Sequence, residues 1–477
     1  VTAAAVDAVV VGAGPNGLSA AVTLAQAGLE VAVYEAADSI GGGTRTRELT
    51  LPGLLHDVCS AVHPLAAAST FLNALPLQEH GLRWCWPEVD LAHPLDGGRA
   101  GVMLRSVTAT ETALGRDGGA WRRTFGPLAT AFPEIAEDFL APVLHVPRHP
   151  LAMARFGLRG GMPAALLART LFRTEEARAL FAGTAAHVMH PLDRPATAAA
   201  GVMLTAAAHH VGWPIAAGGS QAISNALAAV LAEMGGRIET GVEVTSLAQL
   251  PPSRLQLFDT APRALLRIAG DRLPAHTRRA YERWQYGPAA FKLDLAVEDG
   301  IPWTAQACRR AGTVHCGGSL DEIVAGEAEV HRGRMPQRPF VLVSQQYLCD
   351  PQRSRGNLHP IWTYAHVPHG YDGDATEAIL AQIERFAPGF RERIVARHVL
   401  SPGALEAYNR NCIGGDIATG ANTLRQVLLR PRISLDPYAT GVPGMYLCSA
   451  ATPPGAGAHG MSGHYAARQA LRHLHGS

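Results

Sequence analysis

An α/β fold, with a helix-wrapped parallel sheet joined to a second α+β domain, is predicted by three stretches of this 477-residue sequence. The opening runs from an apolar strand through a glycine turn into a helix of small residues. A glycine-marked helix and two further strands follow at 218–262. The chain closes on another apolar strand, a glycine-rich turn and a final helix.

The first stretch is Asp7-Ala-Val-Val-Val-Gly12-Ala-Gly14-Pro15-Asn16-Gly17-Leu, with a helix predicted over Leu18 to Ala27 and a second strand over Glu30 to Glu35. Gly12 permits a tight turn, Gly14 admits a pyrophosphate against the backbone, and Gly17 lets the helix pack on the strand. The helix start offers free N–H groups and the positive end of a dipole to phosphates. Glu35 ends the second strand 23 residues after Gly12, where a carboxylate accepts hydrogen bonds from ribose hydroxyls. Strand, turn, helix, strand and acid together read as a Rossmann-like dinucleotide site.

Ser39-Ile-Gly41-Gly42-Gly43-Thr44-Arg45-Thr46 is a second glycine loop, with Arg45 expected to be free to meet a phosphate or a ring edge. Residues 66–110 read as antiparallel strands of another domain, and 125–214 as helices broken by prolines. No Asp, Glu, Lys or Arg occurs between Pro195 and Ala232. His209-His210, Pro214 and Gly218-Gly219 interrupt that run, so it reads as buried helices lining an apolar cavity rather than a membrane span. Adjacent His209 and His210 diverge on a helix and cannot share a metal; no metal site is expected. A helix over Ala222 to Met234 and strands at Arg237–Val244 and Leu255–Pro262 return to the nucleotide domain. Residues 263–286 read as helical, and Ala289–Val297 as a strand. The ending, Gly444-Met-Tyr446-Leu-Cys-Ser449-Ala450 to Gly460-Met461-Ser462, repeats the opening logic.

Composition narrows the function classes. Net charge is +1 and no basic run or acidic tail occurs, so nucleic acid is not an expected partner. Seven scattered cysteines without a Cys-x-x-Cys pair read as reduced thiols of a cytoplasmic protein, and the early first strand leaves no room for a signal peptide in this sequence. Of 41 basic residues 40 are arginine, and Lys292 is the only lysine. Arginine bias does not explain why one lysine stays, and the functional reading is a position that needs a compact ammonium.

The glycine blocks, with His56-Asp-Val-Cys-Ser-Ala-Val-His63-Pro and Tyr446-Leu-Cys-Ser-Ala-Ala-Thr-Pro-Pro-Gly-Ala-Gly457-Ala-His459-Gly460-Met461, resemble the FAD-dependent amine-oxidase and phytoene-desaturase superfamily, nearer its phytoene dehydrogenase-like branch. The resemblance spans nearly the whole chain and is strongest at its ends. It implies a discontinuous FAD domain from 1–75, 215–287 and 430–477, and a substrate domain of antiparallel sheet and helices from 76–214 and 288–429. It implies non-covalent FAD on Gly12, Gly14, Pro15, Asn16, Gly17, Glu35, Gly42, Gly43, Thr44, Arg45, Ser60, Ala61, Val62, Val244, Ser449, Ala450, Gly460, Met461 and Ser462. In amine-oxidase relatives a lysine on the strand after the second FAD segment holds a water against flavin N5, and Lys292 falls at that place. Gly43 stands where many relatives have arginine. Ala450 lies in the region where amine oxidases have glutamate, which favours the desaturase branch.

The implied activity is hydride transfer between flavin N5 and an apolar small molecule, such as a polyene or isoprenoid undergoing desaturation. Lys292 would steady the N5 edge, the helix starting at Gly460-Met461-Ser462 would stabilise charge at flavin N1, and His63 and His459 would move protons. The alternatives are a natural-product tailoring enzyme (an oxidase, or a reductive cyclase fed by NAD(P)H) and a flavin-binding partner protein without turnover. Peripheral membrane contact and oligomeric state stay open.

Overall fold

The structure is a computed structural model that describes residues 5–142 and 145–476. Val6–Val11, four valines with Asp7 and Ala8 between them, lies in the middle of a five-stranded sheet and is buried apart from the half-buried Asp7. The strand order is Met445–Leu447, Ser253–Phe258, Val6–Val11, Val31–Tyr34, Arg237–Glu239, and every pairing is parallel. Parallel sheets are covered on both sides, which explains near-continuous apolar strands instead of alternation. One side is the helix Pro15–Gln26, which starts on a proline at its first turn and buries ten of its twelve residues. Small residues set how closely it packs: a Cβ on Gly17 would lie 2.0 Å from the Gly12 carbonyl oxygen. The last helix, Met461–His475, comes equally close, since a Cβ on Gly463 would lie 1.8 Å from the Asn16 carbonyl oxygen. Pro262–Ala269 and Ala275–Glu282 cover the other side, two short helices where the sequence suggested one helical stretch.

A second sheet has seven strands in the order Ile394–Leu400, Ala289–Glu298, Leu358–Val367, Val341–Ser344, Ala311–Cys316, Val89–Pro94, Ala100–Met103. Only Ala311–Cys316 and Val89–Pro94 pair in parallel. All strands of the first sheet thus come from 1–75, 215–287 and 430–477, and all of the second from 76–214 and 288–429. Strand alternation divides the second sheet's faces. Phe291, Leu293, Leu295, Val343 and Ile361 face a core closed by the helix Thr376–Glu384. Lys292, Asp294, Trp362, Tyr364 and Leu342 alternate with them and face the opposite way; Leu342, Trp362 and Tyr364 share a core with the helices Glu175–Ala185 and Ala198–Val211. The segment 66–110 corrects one expectation. Besides its strands it holds the short helical turn Thr70–Asn73, and a second turn, Pro64–Ala67, and a helix, Val107–Leu114, overlap its two ends.

The uncharged stretch becomes the buried helices Ala198–Val211 and Gln221–Glu233. His209 Nε2 accepts a hydrogen bond from Trp121 Nε1 (2.8 Å), while His210 is exposed. Among the described residues no helix is long and apolar enough to cross a membrane.

Candidate active site

Both sheets close around one cavity of about 550 Å³. At its first end the glycine turn stands bare. A Cβ on Gly14 would lie 2.8 Å from Asp259 Oδ2, and one on Gly42 would lie 3.1 Å from the Gly14 Cα. Two backbone segments thus meet too closely for side chains between them, while a Cβ on Gly43, which lines the cavity, would meet nothing within 4 Å. Asn16 Oδ1 is buried here without a hydrogen-bond partner. Such a group costs free energy unless something meets it. Glu35 Oε2 accepts the Ala13 amide (2.8 Å), and Oε1 accepts the Ala37 amide (3.0 Å).

Arg45, expected to be free, is instead buried: its Nη2 pairs with Glu35 at 3.1 Å and its guanidinium lies 5.3 Å from the Tyr408 ring centre. It positions the acid rather than reaching for a phosphate. Asp259 ends the strand Ser253–Phe258 and reaches across to accept the Gly17 amide at 2.9 Å. Burial, with a contribution from Glu35, pushes its carboxyl up to about 7. Sequence reasoning missed this residue. Its signal was position: it follows the carboxyl end of a parallel strand, where α/β sheets present groups to ligands.

Gly12, Gly14, Pro15, Asn16, Glu35, Gly42, Gly43, Thr44, Arg45, Ser60, Ala61, Val62, Val244 and Ala450 all line the cavity, bringing together segments far apart in sequence. Other expected residues stand behind its wall. Gly17 serves helix packing and the bond to Asp259. Gly460 (φ 71°) passes so near Ser19 that a Cβ would lie 2.1 Å from its hydroxyl. Met461 Sδ accepts from the Ser69 hydroxyl (3.4 Å), Ser462 Oγ donates to the Thr452 carbonyl (3.4 Å), and the Ser449 carbonyl accepts from Thr452 Oγ1 (2.8 Å). The preceding loop, Ala456 to Ala458, reaches the cavity in their place.

The two histidines expected to move protons are off the wall as well, which corrects that assignment. His63 Nε2 is bonded to the Ser220 hydroxyl (2.7 Å), and His459 Nδ1 accepts the Met461 amide (3.1 Å). Burial lowers each to about 4, so both are neutral structural ties. Closeness to a motif in sequence did not fix where their rings point.

The far end of the cavity is formed by the second sheet and its helices: Thr313, Leu342, Trp362, Tyr364, His187 and Trp213. Lys292 lies just behind this wall. Its ammonium is ion-paired with Asp294 and sits 5.7 Å from the centre of the Trp362 ring. His56 Nδ1 (3.5 Å) and His398 Nδ1 (3.8 Å) flank the same carboxylate. Burial alone would raise Asp294, but the Lys292 charge and these imidazoles hold it well below its ordinary 3.8. Cys59 and Cys412, far apart in sequence, both line the cavity. A hydrogen bond from Cys412, and the Lys292 charge against burial, hold the Cys59 thiol below its ordinary 9.0.

A model of the NAD(P)-binding Rossmann-like domain matches residues 10–75. The chain is 27% identical to pyridine nucleotide-disulfide oxidoreductase domain-containing protein 2 of Mus musculus, covering 98% of this chain and 94% of that protein. It is 28% identical to hydroxyneurosporene desaturase of Cereibacter sphaeroides over 73% of this chain and 72% of the relative. Among solved structures, putrescine oxidase bound to putrescine superposes with a TM-score of 0.63 at 18% identity, covering 99% of each chain. Cyclohexylamine oxidase from Brevibacterium oxydans superposes with a TM-score of 0.59 at 14% identity, covering 98% of this chain and 99% of that one. Fold and cradle define the class: a Rossmann-like dinucleotide-binding domain joined to an α+β domain, in the overall fold that the solved amine oxidases also have. The open side of Gly43, the orphaned Asn16 oxygen and Glu35 fit a dinucleotide cofactor such as FAD.

Proposed function

We propose that the protein is an FAD-dependent oxidoreductase acting on an apolar small molecule, by desaturation rather than amine oxidation. One observation carries this reading: the cavity is charged at one end only. Its charged lining residues are Glu35, Arg45, Glu243, Asp259, Arg267 and Arg410. Each belongs to the nucleotide end or is paired to it, Arg45 with Glu35 and Arg410 with Glu243. The wall under the seven-stranded sheet is aromatic, aliphatic or neutral. A carboxylate would lose its hydration there with no cation to pair with, and an ammonium would meet no carboxylate. A polyene or isoprenoid loses nothing.

Bound flavin supplies the hydride chemistry. The chain supplies position, water exclusion and electrostatics. Trp362 and Tyr364, ring centres 5.1 Å apart and nearly perpendicular, form a rigid aromatic wall. Lys292 places a positive charge behind that wall, fixed by Asp294, without exposing it to the substrate. Arg353 and Asp57, both fully buried, pair at 2.7 Å. Through Asp57, which also accepts the Ser220 amide (2.7 Å), they tie the two domains beside the cavity.

The test is anaerobic reduction of the bound flavin, followed by absorbance. Apolar isoprenoids should bleach it and primary amines should not. Rapid bleaching by an amine and none by any isoprenoid would contradict the proposal.

A further inference from the structure

Among the polar groups at the uncharged end of the cavity, the imidazole of His187 is one that the proposed chemistry does not use. His187 stands in the wall beside Trp213, their rings 5.7 Å apart and edge-on. It is the second residue of a short turn, Ala186–Val188, that ends on Met189, a non-glycine residue in the left-handed region (φ 51°). Asn422 Nδ2 fixes the turn by donating to the Val188 carbonyl (3.0 Å). Strain of this kind persists where surrounding structure holds a side chain in a required place.

Behind His187 lies a fully buried imidazole. His187 Nε2 and His315 Nε2 are 3.1 Å apart, so one donates and the other accepts. The surroundings of His315 decide which. Its Nδ1 is buried without a partner, and so is His93 Nδ1, while His93 Nε2 donates to the Gly318 carbonyl (2.8 Å). Both Nδ1 atoms crowd Gly183, where a Cβ would lie 2.8 Å from His93 Nδ1 and 2.9 Å from His315 Nδ1. A buried N–H without an acceptor is costlier and rarer than a bare lone pair. The His315 proton therefore sits on Nε2 and is donated to His187 Nε2. The His187 proton is left on Nδ1, which has no hydrogen-bond partner among the described residues.

We infer that this neutral Nδ1–H donor receives a neutral acceptor oxygen (a carbonyl, ether or hydroxyl) on an otherwise apolar substrate. The inference rests on the reading that the sheet end of the cavity is the substrate end. Burial, with the nearby His366, keeps His187 down at about 3, and His315 well below 6.5, so neither imidazole offers a charge near neutral pH. An anion gains no ion pair there. An ammonium meets a donor where it needs an acceptor.

Calorimetric titration of the full chain, with flavin content measured beforehand by absorbance, tests this. The probes are geranial, myrcene and geranylamine, which share a comparable apolar body. Geranial should bind roughly tenfold more tightly than either of the others, the scale of one buried hydrogen bond. His187→Leu should bring the three within about twofold, and His187→Asn, which keeps a donor, should retain most of the preference. Both variants should keep the wild-type flavin content, which reports an intact fold. Geranylamine binding as well as geranial, no binding by any probe, or a preference that survives His187→Leu would overturn the inference. A colourless protein that still prefers geranial would overturn the cofactor reading alone. Bound flavin without the preference would overturn this inference alone.

Discussion

Asp259 Oδ2 accepts the Gly17 amide at 2.9 Å across 242 residues of sequence. The bond fastens the carboxyl end of one parallel strand to the glycine turn of another, at the cost of a carboxyl group buried where a dinucleotide's phosphates would lie.

That cost has a pH signature. Asp259 is raised to about 7, so between its ordinary 3.8 and 7 the folded state holds a proton that the unfolded chain has released. Stability from this group therefore falls as pH rises through that window and levels off above 7. Chemical denaturation of flavin-free protein at about pH 5 and pH 8 should show wild type losing ~2–3 kcal/mol more than Asp259→Asn. Flavin affinity should also weaken above pH 7 in wild type, and less in the variant.

Lys292→Met removes the partner of a carboxylate that is completely buried. Breaking such a pair on one side costs about 3–5 kcal/mol. His56 and His398, already beside Asp294, should soften the loss. A denaturant midpoint well below wild type is expected, with Lys292→Met/Asp294→Asn recovering part of it.

Arg353 donates to Asp57 (2.7 Å), Asp350 (3.0 Å) and the Ala216 carbonyl (2.7 Å) from a fully buried position. Arg353→Met should destabilise the protein by about 3 kcal/mol or more, read by thermal or denaturant unfolding. Asp57 is held below its ordinary 3.8, against burial, by this guanidinium. Its contribution is present above that value and is lost as pH falls below it.

Cys59 should be the fastest thiol to react with N-ethylmaleimide in flavin-free protein, since it borders the cavity and its thiolate is favoured by Cys412 and Lys292. Peptide mass spectrometry after brief labelling reads the order. Added FAD should slow the labelling, and Cys316, fully buried, should react last.

The sequence made the local parts of this site legible. Val6 to Gln26 carries strand, turn and helix in contiguous residues, and the small side chains that permit their packing are visible as letters. The strands at 253–258 and 445–447 were also readable as elements, because each is an apolar run bounded by turns. What joins distant segments was not readable. Asp259 to Gly17, Arg353 to Asp57 and His187 to His315 are each set by how the sheets meet, and no periodicity encodes that. Arg45 failed differently: its partner Glu35 is only ten residues away, but the loop folds back and spends the charge inside the protein.

The most direct measurement is the FAD content of purified protein, by absorbance before and after heat release, beside that of Gly14→Ala. One FAD per chain is predicted for wild type. The added methyl should weaken FAD binding by roughly tenfold or more, because a Cβ at Gly14 would stand 2.8 Å from Asp259 Oδ2 and displace the carboxyl that fastens the glycine turn. A wild-type protein that is colourless and takes up no added FAD, or a Gly14→Ala protein that binds FAD as tightly as wild type, would contradict the cradle described above.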